Sequence, residues 1–123
     1  MLPYSYNSIK YGGEILDTDQ LRILTKMKRL IKNGNRRFQM RKDRDYIQDL
    51  LELGIDEVEA WDIILTLNNH FYFKDPKPTY YKNKDTLIFK RKVNGVLTYI
   101  KLKIETKNKE ETVCLSFHKD KKF

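Results

Sequence analysis

Five residues in the second half of the chain have types that could move protons and hold a phosphate: Lys90, Tyr99, Lys101, Ser116 and His118. An imidazole and a phenol can accept and donate protons, and lysines can stabilise a crowded anionic phosphorus centre. Their spacing matters only if the backbone brings them together. Asn94-Gly95 is a strong signal for a two-residue type I′ hairpin turn. That turn fixes a register: Val93 opposite Val96, Phe89 opposite Ile100 and Leu87 opposite Leu102, an apolar set facing one way. Lys90 then falls opposite Tyr99, and Ile88 opposite Lys101, on the other face. Apolar matching of the next segment pairs Leu102 with Leu115 and Ile100 with Phe117, with Lys107 to Glu110 as a four-residue loop. Tyr99 is thereby placed by His118 and Lys101 by Ser116. The expected row is Lys90, Tyr99, His118, with Lys101 and Ser116 in the row beside it. Neighbouring strands are about 4.8 Å apart, so these side chains can converge on one phosphate.

The row holds cations, a phenol and an imidazole, and no carboxylate. A Mg²⁺ site would need clustered Asp or Glu, and no acid is placed to orient His118 behind a serine nucleophile. No metal and no cofactor is therefore expected. The set suits metal-free attack of a ribose 2′-hydroxyl on the adjacent phosphate, which needs a base, a proton donor to the leaving 5′-oxygen and cations. Each residue also has an ordinary structural use. His118 precedes a Lys-rich tail and could be a solvated surface histidine, Tyr99 fits strand propensity, and Lys90 and Lys101 could be solubilising charges. Their convergence in one register is the argument. His70, after the last helix, and Trp61, at helical spacing, are read as structural.

The chain that must position this row has 123 residues, the length of a single domain. Its net charge is +8, carried wholly by residues 70–123, while residues 1–69 are net neutral. A field so segregated fits a polyanionic partner, whether nucleic acid, an anionic membrane or an acidic protein, and a Lys-rich solubility surface is the plainer reading. No apolar run is long enough to cross a membrane and the first ten residues hold no apolar leader segment. One cysteine, Cys114, leaves no internal disulfide. A cytoplasmic setting is expected.

Residues 1–18 read as an N-terminal arm and 19–123 as the domain. A first helix is expected from Asp17–Asp19, burying Leu21, Leu24, Met27, Leu30 and Ile31 and stopping at Gly34. The basic stretch from Arg36 to Arg44 reads as linker or exposed surface. A second helix, about Asp43 to Leu53, buries Tyr46, Ile47, Leu50 and Leu51. A third opens on Asp56-Glu57-Val58-Glu59 with a capping-box pattern and buries Val58, Trp61, Ile64 and Leu65. Asp75-Pro76-Lys77-Pro78 fixes an extended connector, and strands are expected at Thr86–Val93, Val96–Thr106 and Thr112–His118. The fold class is α+β, with N-terminal helices on one face of a C-terminal antiparallel β-meander.

Several blocks resemble one family: Phe71-Tyr72-Phe73-Lys74, Thr86 to Phe89, Val93-Asn94-Gly95, Tyr99-Ile100-Lys101-Leu102-Lys103 and Val113-Cys114-Leu115-Ser116-Phe117-His118. Together they are similar to the MqsR toxins, over approximately Lys26 to His118. The resemblance implies a RelE-like fold, the toxin half of a type II toxin–antitoxin pair, and ribosome-independent endoribonuclease activity on mRNA. Its partners would be mRNA and a cognate antitoxin, with no membrane role and a monomer when free. The family's catalytic lysine after its Phe-Tyr pair matches Lys74, with Phe73 inserted. Its strand tyrosine matches Tyr99, and its basic residue after Ser-Phe matches His118. Where the best-known pattern has glutamine, this chain has Ile88. Tyr99, His118, Lys74 and Lys101 are thus the expected catalytic set, with Lys90, Lys103, Ser116 and Lys77 binding RNA. The alternative is a non-catalytic RNA- or protein-binding module on the same scaffold.

Overall fold

Each described α-helix begins at an aspartate whose carboxylate accepts from backbone N–H groups of the first turn, the donors a helix cannot satisfy internally. In the computed structural model, which describes residues 15–74 and 85–121, Asp17 caps α1 (Thr18–Lys32) and Asp56 caps α3 (Glu57–Leu65), both in reciprocal capping boxes. Asp45 caps the short α2 (Tyr46–Glu52). Helices α1 and α2 stop in the same way. Asn35 N–H reaches back to the Leu30 carbonyl and Ile55 N–H to that of Leu50, each across a glycine at positive φ. Leu16 is buried and Asp17 caps α1, so packing of the domain starts slightly ahead of residue 19. The expectations for residues 1–14, and for the connector with Lys77, fall outside the described residues.

The strands are β1 (Arg36–Phe38), β2 (Thr86–Val93), β3 (Val96–Glu105) and β4 (Glu111–Lys119), with a 3₁₀ turn at Asn69–Phe71. Sheet order is β1-β4-β3-β2. The last three strands form the expected antiparallel meander, but β1 joins β4 in parallel, making the sheet mixed. Arg36 to Phe38 is therefore not linker. Its alternation sends Phe38 into the core, where it stacks on Tyr46 at 4.6 Å and packs against Trp61 at 4.9 Å.

The helices cover one sheet face. Leu24, Met27, Leu30 and Ile31 of α1, Leu50 of α2, and Ala60, Trp61 and Ile64 of α3 share a core with Leu87, Phe89, Ile100, Leu102 and Phe117. Burial alternates strictly along β3 from Thr98 to Glu105, the pattern of a strand with one face packed and one turned away. Four residues expected inside are not. Leu21, Ile47, Leu51 and Val58 are exposed, and Leu65 is only partly buried. Helices α2 and α3 are short, about two turns each, and part of the buried set falls just past their C-terminal ends: Leu53, Ile55 and Leu67.

Candidate functional site

The hairpin register is the one the Asn94-Gly95 turn demands. Val93 pairs with Val96, Phe89 with Ile100, Lys90 with Tyr99 and Ile88 with Lys101. Asn94 adopts φ 50° and Gly95 φ 82°, the left-handed pair a type I′ turn needs. On the other side Tyr99 pairs with His118, Lys101 with Ser116 and Ile100 with Phe117. One step further the register slips. Leu102 pairs with Cys114, not Leu115, because a bulge leaves Leu115 as the extra residue of β4. The bulge lies just past the last β1–β4 pair, Phe38 with Cys114, and gives the core position to the small Cys114 side chain, 1% exposed. The loop between β3 and β4 is consequently Thr106 to Glu110.

Directly opposed residues share a face, so Lys90, Tyr99 and His118 form a row on the face turned away from the helices, with Ile88, Lys101 and Ser116 beside it. The rings of Tyr99 and His118 stack with centroids 5.5 Å apart and planes 15° from parallel. His118 Nδ1 lies 2.8 Å from the Lys119 carbonyl oxygen. A carbonyl can only accept, so Nδ1 carries hydrogen, and in the neutral ring Nε2 is the basic nitrogen. Burial holds this imidazole below the ordinary histidine value, opposed by the Lys119 carbonyl and reinforced by the Arg44 guanidinium; Asp49 acts to raise it and Lys121 to lower it. The ring is thus predominantly neutral at pH 7.

The lysines differ in what they can offer. Lys90 Nζ sits 3.1 Å from Asp120 Oδ2 and 3.9 Å from the Phe73 ring centroid, so its charge is already countered and its position fixed. Lys103 lies 3.2 Å from Glu105 and is countered likewise. Lys101, half-buried, has no carboxylate within ion-pair distance among the described residues. Ile88, 7% exposed, and Val113, 1% exposed, are buried on this same face. The edge next to β2 is completed by Phe73, whose N–H donates to the Ile88 carbonyl, and by Tyr72, which bridges Phe89. Tyr72 packs on the core side against Phe89, Phe73 reaches Lys90, and Lys74 follows exposed and outside the strand. The structure therefore brings Tyr99, His118, Lys90, Lys101 and Ser116 together and leaves Lys74 out of the row: the inserted Phe73 takes the position facing Lys90.

Two residues that the sequence reads as linker or exposed surface lie beside the row. Arg41 places Nη1 3.5 Å from Ser116 Oγ while Nε and Nη2 bind the Asp43 carboxylate at 3.0 and 2.7 Å. Arg44 makes a two-point bond to Asp49 of α2 at 2.7 and 3.2 Å and is close enough to His118 to influence its titration. Only the density of arginines in residues 36–44 could have pointed to them. His70 lies in the 3₁₀ turn, edge-on to Phe71 at 5.3 Å. Among the described residues no group of three or more His, Cys, Asp or Glu side chains is placed to hold a metal ion, and no helix is long and apolar enough to cross a membrane.

Comparison with protein-family models, with curated proteins and with solved structures finds no match to this chain. The described residues form an α+β arrangement, with three helices on one face of a four-stranded mixed sheet.

Proposed function

We propose that the protein is an endoribonuclease that cleaves mRNA without a metal, by attack of a ribose 2′-hydroxyl on the adjacent phosphate. The observation that carries this is the stacked Tyr99–His118 pair, with the imidazole's Nδ1 held by a carbonyl and Lys101 one row away. His118 Nε2 takes the proton of the 2′-hydroxyl, and the 2′-oxygen forms a bond to phosphorus. The bond from phosphorus to the 5′-oxygen breaks, and the Tyr99 hydroxyl supplies the proton that the leaving oxygen needs. The products are a 2′,3′-cyclic phosphate and a 5′-hydroxyl, and solvent exchange returns the two side chains to their starting protonation. Lys101 stabilises the extra negative charge on the phosphorane. Lys90, anchored by Asp120 and Phe73, supports the tyrosine's strand position and contributes less to binding.

The resemblance to MqsR toxins supports the wider role: toxin of a type II toxin–antitoxin pair, acting on mRNA in the cytoplasm and neutralised by a cognate antitoxin, on a RelE-like scaffold. The buried Ile88, where the best-known family pattern has glutamine, favours one other reading: an RNA-binding module without catalysis. Replacing Tyr99 by Phe and His118 by Ala separates the two. Cleavage of RNA by the purified protein should fall by at least about 10²-fold in each variant with unchanged melting temperature. Binding of intact RNA with no cleavage by the unaltered protein would establish the module instead.

A further inference from the structure

The bulge at Leu115 and the departure of the chain after β1 set Arg41 and Ser116, which the proposed chemistry does not use, beside Lys101, which it does. Gln39 N–H donates to the Cys114 carbonyl, the last bond of the β1 edge, and the following loop lays Arg41 against Ser116. Asp43 binds Arg41 through Nε and Nη2, which fixes the guanidinium plane and leaves Nη1 pointing at Ser116 Oγ. Asp43 is kept ionised by that same bond, its carboxyl held below the usual range chiefly by Arg41. Across the strand pair, Ser116 faces Lys101. Two cationic donors and a hydroxyl therefore converge from β3, β4 and the loop after β1, the arginine oriented by the Asp43 carboxylate.

We propose that Arg41, Ser116 and Lys101 form a second phosphate subsite, which holds the 5′-phosphate of the nucleotide whose 2′-hydroxyl attacks. This assignment rests on the ribonuclease reading for its direction. His118, the base that meets the 2′-hydroxyl, is on β4, and Tyr99, which meets the leaving 5′-oxygen, is on β3. Ser116 lies on β4 two residues from His118, about 6.8 Å along the strand, a separation like that of adjacent phosphates in an extended strand. Arg41 approaches Ser116 from outside β4, on the side away from Tyr99. The phosphate it meets belongs to the nucleotide on the His118 side of the break, upstream of the scissile bond. Lys101 lies between the two positions and touches both phosphates.

The test compares a dinucleoside monophosphate with the same molecule carrying a 5′-phosphate, and adds 2′-deoxy versions that cannot be cleaved. Binding of the deoxy pair is measured by calorimetry, and kcat and KM on the ribose pair by product separation. In the unaltered protein the 5′-phosphate should tighten binding and lower KM about tenfold, the size expected for charge-assisted bonds to one phosphate. In Arg41→Ala the gain should vanish, while cleavage of the molecule lacking the 5′-phosphate keeps its kcat and KM. Ser116→Ala should lose part of the gain. An equal gain in Arg41→Ala, or no gain in the unaltered protein, would overturn the subsite. A gain in binding that depends on Arg41, seen without cleavage of either ribose compound, would retain the subsite and overturn the ribonuclease reading alone.

Discussion

His118 has an imidazole whose Nδ1 is committed to the Lys119 carbonyl and whose charge burial disfavours, so it is poised as a base, not an acid. Activity should rise with pH as this group loses its proton, with the acidic limb of a kcat/KM profile centred below about 6.5, the ordinary histidine value. A limb at or above that value would assign the base to another group. The same shift has a consequence for folding. A histidine with a folded value below its unfolded one binds more protons when unfolded, so its contribution is intact above the unfolded value. It weakens as pH falls from there and levels off once the folded form is also protonated. Lys101 and Lys103 sit two residues apart on one face and differ in one respect: Glu105 counters Lys103. Lys101→Ala should lower kcat about 10²-fold, as removal of a transition-state donor does, whereas Lys103→Ala should change it only a few-fold. Steady-state kinetics on one short RNA checks both, and equal losses would remove the distinction.

The hairpin shows what local sequence can and cannot disclose about an element. A two-residue turn has one register, so Asn94-Gly95 and the alternation around it were enough to place Lys90, Tyr99 and Lys101 on one face. The Tyr99–His118 pairing was legible from apolar matching, since Phe117 has to meet Ile100. The bulge at Leu115 was not, because apolar matching favours Leu115 over Cys114 at Leu102. What shifts it is packing beside the end of β1. That strand was illegible too: it has three residues, two of them arginines, and its partner lies far along the chain. With β1 missed, Arg41 and Arg44 had no surface to be assigned to. The turn also ties the sheet to the helices, since Asn94 Nδ2 donates to the Leu53 carbonyl at 2.8 Å. Asn94→Ala removes that bond and places alanine at positive φ, which should lower stability by about 2 kcal/mol. Urea unfolding measures this, and a change near zero would mean that the turn does not anchor the α2–α3 junction.

Across the described residues, three capped helices bury one face of the sheet, and the other face gathers Tyr99, His118, Lys101 and Ser116, with Arg41 at its edge. The net +8 of the sequence does not say which cations a ligand meets there: on that face Asp120 and Glu105 pair with Lys90 and Lys103. A site with two or three phosphate contacts should show a slope of roughly −2 for log affinity against log salt on single-stranded RNA. A slope near zero would exclude phosphate recognition. The central claim is cleavage by Tyr99 and His118, and the most direct test is to incubate the purified protein with a long mRNA in EDTA, without ribosomes, and map the 5′ ends. Discrete cuts bearing 5′-hydroxyl groups, lost in Tyr99→Phe and in His118→Ala, are the predicted result. Intact RNA from the folded protein, or cuts that persist in both variants, would contradict it.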